Sequence, residues 1–250
     1  MKLTVLGSGT MMPSAKRYPS GYLIDDGSTR ILLDCGGPTV SRLVELGVNF
    51  REIEAMCLSH FHTDHMGGLL PFVHARWVDD KVTRRQHTEL LLMGPKTLGE
   101  RMKKLREVSW PEPEESFPLR LVEGPATESV GAINIETFET HHVEWFASVG
   151  YRITHKDTTL VYTGDVGSDH PWEDLVARAK GASVLLVGAA ASEPAPNHLT
   201  VDQALKLGRE AEVKKIVLTH LREQQLTVAK SKIQTVKNAV IAEDKMAITL

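Results

Sequence analysis

The chain has 250 residues, 42% hydrophobic and 24% charged, with a formal net charge of −3 at pH 7. That length fits one domain spanning 1–250, and the apolar share is enough for a sizeable core. The acidic balance excludes a global attraction to nucleic acid or anionic membrane, so a polyanion would have to be held by a local patch.

Alternating apolar residues predict strands over 3–6, 21–24 and 30–33, the first turning at Gly7 and the last ending in Asp34-Cys35-Gly36-Gly37. A helix follows from Pro38, because Val40, Leu43, Val44 and Leu46 share one face and Gly47 ends it. Residues 53–58 read as a buried strand, with a histidine-rich run directly after it. A helix over 69–77, a strand over 89–93 and a helix over 96–107 come next, and 109–118, with three prolines, reads as loop. Strands are expected over 119–122, 132–138, 148–154 and 158–162. The final third alternates helix 172–179, strand 184–187, helix 201–211, strand 216–218, helix 228–242 and strand 247–250. Strand-rich halves that each end in helix and strand fit two packed sheets with helices outside. The opening strand is unlike a basic-then-apolar leader, and no run approaches the ~20 apolar residues of a membrane span. Cys35 and Cys57 form no CxxC pair. They are expected as buried, reduced thiols of a cytoplasmic protein.

Four ligand-type residues fall within six positions: His60, His62, Asp64 and His65. Just past a strand, residues i and i+2 project to the same side, so His60 and His62 can reach one ion together. Asp64 and His65, further round the turn, can reach a second. Imidazole nitrogen and carboxylate oxygen suit zinc and other borderline first-row metals, and three protein ligands leave a position open for water. Gly67-Gly68 lets the turn fold closely. His142, Asp165 and His220 each follow a predicted strand, which is how a site is assembled from distant sequence. His141 adjoins His142, and strand alternation leaves open which of the two points inward.

HxHxDH followed by two glycines, with His, Asp and His each after a strand, resembles the metallo-β-lactamase superfamily over nearly the whole chain. The segments 6–10, 33–36, 150–153, 162–165, 198–200 and 218–220 resemble its tRNase Z and arylsulfatase-like branch. The resemblance implies an α+β, four-layer αβ/βα sandwich. It implies one metal held by His60, His62 and His142, a second by Asp64, His65 and His220, and Asp165 bridging them. Similar proteins place the fourth histidine four residues after an apolar strand residue, which favours His142, four beyond Phe138. Two divalent ions are implied, zinc first, with manganese or iron as alternatives.

Such a site makes hydroxide from bridging water at neutral pH, with Asp64 both ligating and orienting the nucleophile. Asp34 is read either as hydrogen-bonding a ligand imidazole or as a simple turn carboxylate. The resemblance gives His198 the task of protonating the leaving alkoxide. Thr200 suits the N-cap of the following helix without needing His198. Aspartate at 165, where β-lactamases of this fold commonly carry cysteine, and histidine at 62, where flavodiiron oxidoreductases commonly carry glutamate, both favour hydrolysis.

A tRNA-processing member carries a long arm between the fourth histidine and the bridging aspartate. Here 23 residues separate His142 from Asp165, enough for one hairpin. The expected substrate is therefore a small or nucleotide-like phosphodiester, with no tRNA and no membrane partner; a homodimer is compatible with the sequence. A carboxylic ester, thioester or lactone hydrolase is the alternative, ahead of a tRNA 3′-end endoribonuclease or a non-catalytic metal-binding member. Arg101, Lys103, Lys104 and Arg106 form the densest basic stretch, read as a solvated helix face or a phosphate-binding rim. Trp145-Phe146 can wall the pocket beside the fourth ligand.

Overall fold

In the computed structural model, which describes residues 1–109 and 116–250, the strands assemble into two seven-stranded sheets. The first contains β1 (Lys2–Gly7), β2 (Gly21–Asp25), β3 (Arg30–Cys35), β4 (Ile53–Cys57), β5 (Leu90–Gly94), β6 (Leu119–Glu123) and β14 (Ala247–Thr249). Its order is β14-β1-β2-β3-β4-β5-β6, antiparallel as far as β3 and parallel from there on. The second contains β7 (Thr127–Val130), β8 (Ile133–Val143), β9 (Phe146–His155), β10 (Thr158–Tyr162), β11 (Val184–Gly188), β12 (Lys215–Thr219) and β13 (Ala239–Ile241). It runs β13-β12-β11-β10-β9-β8-β7, parallel on the β13 side of β10 and antiparallel on the other.

Because successive strand side chains face opposite ways, each sheet has two buried faces to fill. Ile31 and Leu33 point between the sheets, where they join Tyr22, Ile135, Tyr151, Tyr162 and Leu186 in a central core. Leu32, between them, packs outward with Phe72, Leu69 and Met102 against α3 (Leu69–Thr83) and α4 (Leu98–Ser109). The second sheet does the same with Leu185, Val187 and Leu218 against α5 (Trp172–Ala179), α6 (Val201–Glu210) and α7 (Glu223–Ile233). Two shorter helices, α1 (Thr39–Glu45) and α2 (Thr63–Met66), follow strands of the first sheet. The result is the expected four-layer sandwich.

Three elements differ from the sequence reading. The last helix is Glu223–Ile233 rather than 228–242, and 239–241 is strand β13. Ile233, Val236, Ala239 and Val240 continue a helical spacing on paper, but Val240 pairs with Val217 and Ile241 with Leu218 on the open edge of β12. Pairing beside a buried strand overrides a weak helical period. Helix α3 runs on to Thr83 and stops where Arg84 turns left-handed, at φ 55°. Strand β7, which had no strong apolar alternation, is recruited by β8 through Thr127–Glu136 pairing. Trp110 and most of the proline-rich 109–118 segment lie outside the described residues. No described helix is long and apolar enough to cross a membrane.

Gly150 in β9 sits opposite Phe138 in β8, and the buried Phe138 ring lies across it. A Cβ at 150 would fall 2.3 Å from the ring tip. Gly150→Ala is expected to destabilise the protein by about 1–3 kcal/mol through displacement of Phe138. Urea unfolding measures this, and an unchanged midpoint would show that the ring relocates freely.

Candidate metal centre

Parallel strands bring their C-terminal ends to a common edge, where a sheet of this kind places its ligands. Strand β3 delivers Asp34, β4 leads into His60 and His62, β10 leads into Asp165, and β12 into His220. Helix α2 begins directly after His62 and turns Asp64 and His65 back over the same edge. His142 lies near the end of the long strand β8 and is 3% exposed, whereas neighbouring His141 is exposed and packs edge-on against His170. His142 is thus the histidine that faces the cluster.

His60 Nε2 lies 3.0 Å from His62 Nδ1, and His142 Nε2 lies 3.1 Å from the same atom. Three imidazole nitrogens at this spacing match the vertices of a tetrahedral ion with Zn–N bonds of about 2.0–2.1 Å. Asp64 Oδ2 lies 3.8 Å from both His65 Nε2 and His220 Nε2, a second three-ligand group. Asp165 Oδ2 stands between the groups, 3.2 Å from His220 Nε2, 3.4 Å from His65 Nε2, 3.8 Å from His60 Nε2 and 3.9 Å from His142 Nε2. All seven residues chosen from the sequence are brought together.

Outer contacts fix which ring nitrogen faces inward. Ser59 Oγ donates to Asp34 Oδ2 at 2.8 Å, so the hydroxyl is left to accept from His60 Nδ1–H at 2.9 Å. His65 Nδ1–H donates to Asp34 Oδ2 at 2.7 Å, and His142 Nδ1–H to the Asn197 carbonyl at 2.6 Å. Ser20 Oγ donates to the Gly9 carbonyl and meets His220 Nδ1 at 3.0 Å. In these four rings Nε2 is left to face the centre, whereas His62 presents Nδ1 to it; either imidazole nitrogen can ligate. His65 Nε2 and Asp165 Oδ1 are buried atoms without a hydrogen-bond partner, and a bound cation would take their lone pairs instead. The donor set therefore fits two divalent ions.

Burial lowers the basicity of His60, His62 and His142 and pushes His220 down to about 4, so these rings are neutral and ready to ligate at pH 7. Burial would raise the Asp165 carboxyl, but His220 and His65 hold it well below the usual range. His65 is pulled the other way: burial opposes its charge, yet Asp165 and Asp34 raise it well above an ordinary histidine.

Asp34 is fully buried and accepts four hydrogen bonds, from Ser59 N at 2.6 Å, Ser59 Oγ at 2.8 Å, His65 Nδ1 at 2.7 Å and Tyr162 Oη at 2.5 Å. This decides between its two readings: it carries a ligand imidazole. Asp34 and His220 both adopt left-handed backbone, at φ 54° and 53°. Ser20, Ser59 and Tyr162 complete the support, and none was singled out by chemistry in the sequence. The signal available was Ser59 immediately before His60.

His198 lies on the loop before α6, with Nδ1 3.7 Å from Asp165 Oδ2 and its ring 5.1 Å from that of His142. Thr200 caps α6 in a reciprocal pair with Gln203, so His198 has no capping duty. A cavity of about 710 Å³ opens beside His142, walled by Trp145, Phe146, Lys96 and Asn197. Phe146 stacks on His60 and meets His62 edge-on, while Trp145 is 72% exposed at the rim. Another acid–histidine group, Asp79, Asp80 and His87, lies beyond the N-terminal end of β5, where Arg51 pairs with Asp79 and Ser116 with Asp80. Cys35 and Cys57 are both buried and unpaired.

The fold and this centre define a metal-dependent hydrolase of the metallo-β-lactamase superfamily, in its tRNase Z-like branch. The family described as Anti-Pycsar protein Apyc1 matches residues 1–242, and the chain belongs to it. It is 28% identical to ribonuclease Z of Mycobacterium sp. strain KMS over 244 residues, covering 88% of this chain and 84% of that one. It is 27% identical over 257 residues to the probable metallo-hydrolase YhfI of Bacillus subtilis, covering 97% of this chain and all of that one. The crystal structure of YhfI superposes with a TM-score of 0.82 at 24% identity, covering 99% of this chain and 98% of that one. Human short-form tRNase Z superposes with a TM-score of 0.80 at 20% identity, covering all of this chain and 99% of the other.

Proposed function

We propose that the chain is a dinuclear phosphodiesterase, most readily loaded with zinc, that cleaves a small or nucleotide-like phosphodiester. The observation that carries this reading is His198. It is a histidine freed from capping and held against the bridging carboxylate, where a leaving alkoxide needs a proton. Similarity to proteins named ribonuclease Z supports a phosphodiester over a carboxylic ester. When bound, the two ions supply a low-pKa water and offset charge on the phosphoryl oxygens.

The chain's own residues do the rest. His60, His62 and His142 would hold one ion and Asp64, His65 and His220 the other, with Asp165 placed to serve both. Asp64 also orients the attacking water. His198 gives a proton to the departing oxygen from its imidazolium form; burial lowers its basicity and Asp165 opposes that, so its acid role is expected to strengthen as pH falls. Phe146 covers one flank of the histidine cluster, and the 710 Å³ cavity leaves room for the organic substituents. Between β9 and β10 the chain turns through Lys156-Asp157 alone, so no arm reaches out for a tRNA elbow.

Metal analysis together with a panel of aryl phosphodiesters, lactones, thioesters and β-lactams tests this. Two equivalents of metal and turnover of diesters are expected; turnover of lactones with none of diesters would overturn the reading. His198→Ala is expected to slow diesters with alkoxide leaving groups by about 10²-fold or more. The loss on p-nitrophenyl esters, which need no acid, should stay below about tenfold. Equal losses on both substrates would remove the acid role.

A further inference from the structure

The basic stretch on α4 is not uniform. Lys104 is paired with Glu100 at 2.5 Å, and Lys96, just before the helix, with Glu139 at 2.7 Å. Arg101 is placed differently. Its guanidinium carbon lies 4.4 Å over the Phe61 ring and 5.6 Å over the Phe146 ring. Phe61 stands between the ligands His60 and His62, and the Phe146 ring centre is 4.9 Å from that of His62. The arginine is thus one aromatic ring away from the first metal group.

The topology explains this placement. Strands β4 and β5 are parallel neighbours, so the loop after β5 emerges at the edge where β4 delivers His60. Leu58 N bonds to the Met93 carbonyl, locking the two strand ends side by side. Helix α4 starts a few residues later and carries Arg101 in its first turn.

Among the described residues no carboxylate pairs with Arg101. Its only hydrogen bond there is a long one, from Nε to Thr97 Oγ1 at 3.4 Å. A guanidinium stacked on rings keeps its N–H groups in plane and free at the edges. The two terminal amino groups therefore form an unfilled fork of the geometry that matches two phosphate oxygens.

We propose that Arg101 is a specificity-determining residue that receives a second phosphate, a phosphomonoester carried elsewhere on the substrate whose diester sits at the metal centre. This rests on the phosphodiesterase reading above. Phe61 and Phe146 hold the fork in register with the ligand cluster, so the residue selects among diesters by what they carry at a distance.

The test compares two chromogenic esters with the metal-loaded enzyme: thymidine 5′-(p-nitrophenyl phosphate) with a free 3′-hydroxyl, and the same ester with a 3′-phosphate. Wild type is expected to favour the 3′-phosphorylated ester by roughly tenfold or more in kcat/KM, chiefly through KM. Arg101→Gln should bring the ratio to about one. Arg101→Lys, which keeps the charge and loses the fork, should fall between, and Lys103→Gln, on the exposed side of the helix, should keep the wild-type ratio.

No preference in wild type, or an Arg101→Gln variant that loses activity equally on both esters, would overturn the assignment. If wild type cleaves neither ester, the phosphodiesterase reading fails by itself. The arginine is then judged by calorimetric binding of thymidine 3′,5′-bisphosphate. Tenfold weaker binding by Arg101→Gln supports the site, and equal binding refutes it.

Discussion

Asp165→Ala is expected to lower hydrolysis by at least about a thousandfold and to cut bound metal from two equivalents to one or fewer. The reason is position. One oxygen, Oδ2, faces four ligand histidines drawn from both sheets at 3.2–3.9 Å. No other carboxylate of the centre reaches both groups. Without it the two sites become independent three-ligand sites, and the charge that makes the second cation tolerable beside the first is gone. Asp165→Asn separates the two contributions, because it keeps the shape and removes the charge. Elemental analysis of both variants beside steady-state rates on an aryl diester decides the matter. Two retained equivalents with near-wild-type turnover in the alanine variant would contradict the shared-ligand role.

Asp34→Asn should weaken metal binding at the His65 side by about 10–100-fold, although residue 34 touches no metal. Asp34 Oδ2 accepts from Ser59 Oγ, His65 Nδ1 and Tyr162 Oη, and Oδ1 from the Ser59 amide. An amide side chain must turn its NH₂ toward one of these donors, leaving two donors face to face at a position closed off from solvent by burial. If the NH₂ meets His65, the ring flips tautomer and its inward nitrogen becomes a donor. Asp34→Ala removes both acceptor oxygens, and with them four hydrogen bonds, and is expected to cost about 3–5 kcal/mol, as breaking a buried charge network does. Chelator competition measures the first effect and denaturant unfolding the second. Wild-type metal affinity in Asp34→Asn would mean that packing alone orients His65.

Much of the centre was legible in the chain because its signal is local. Four ligands within six residues after an apolar strand are hard to account for by packing alone, and His142, Asp165 and His220 each sit where a strand stops. The order of strands in the sheets was not legible, since neighbours are set by contacts between segments far apart in the chain. The same holds for the supporting hydroxyls. Ser20 is 200 residues from His220, and Tyr162 is 128 from Asp34, so nothing along the sequence marks them as partners. Arg101 shows the limit from the other side. On a helical wheel it is one of four cations, and only the fold sets it apart by laying Phe61 and Phe146 beneath it. The shortened last helix has a similar cause, because spacing in 233–240 suits a helix and the open edge of β12 takes 239–241 as strand.

The left-handed backbone at Asp34 and His220 constrains how this molecule can change. Such a conformation costs a non-glycine residue of order 1 kcal/mol or more, and it persists only where surroundings enforce it. Glycine at either position would relax the chain and remove a side chain that the centre depends on in the same step. Selection for robustness and selection for turnover therefore pull against each other at two points of the backbone. A descendant that kept the sandwich but gave up chemistry would have its easiest first moves there.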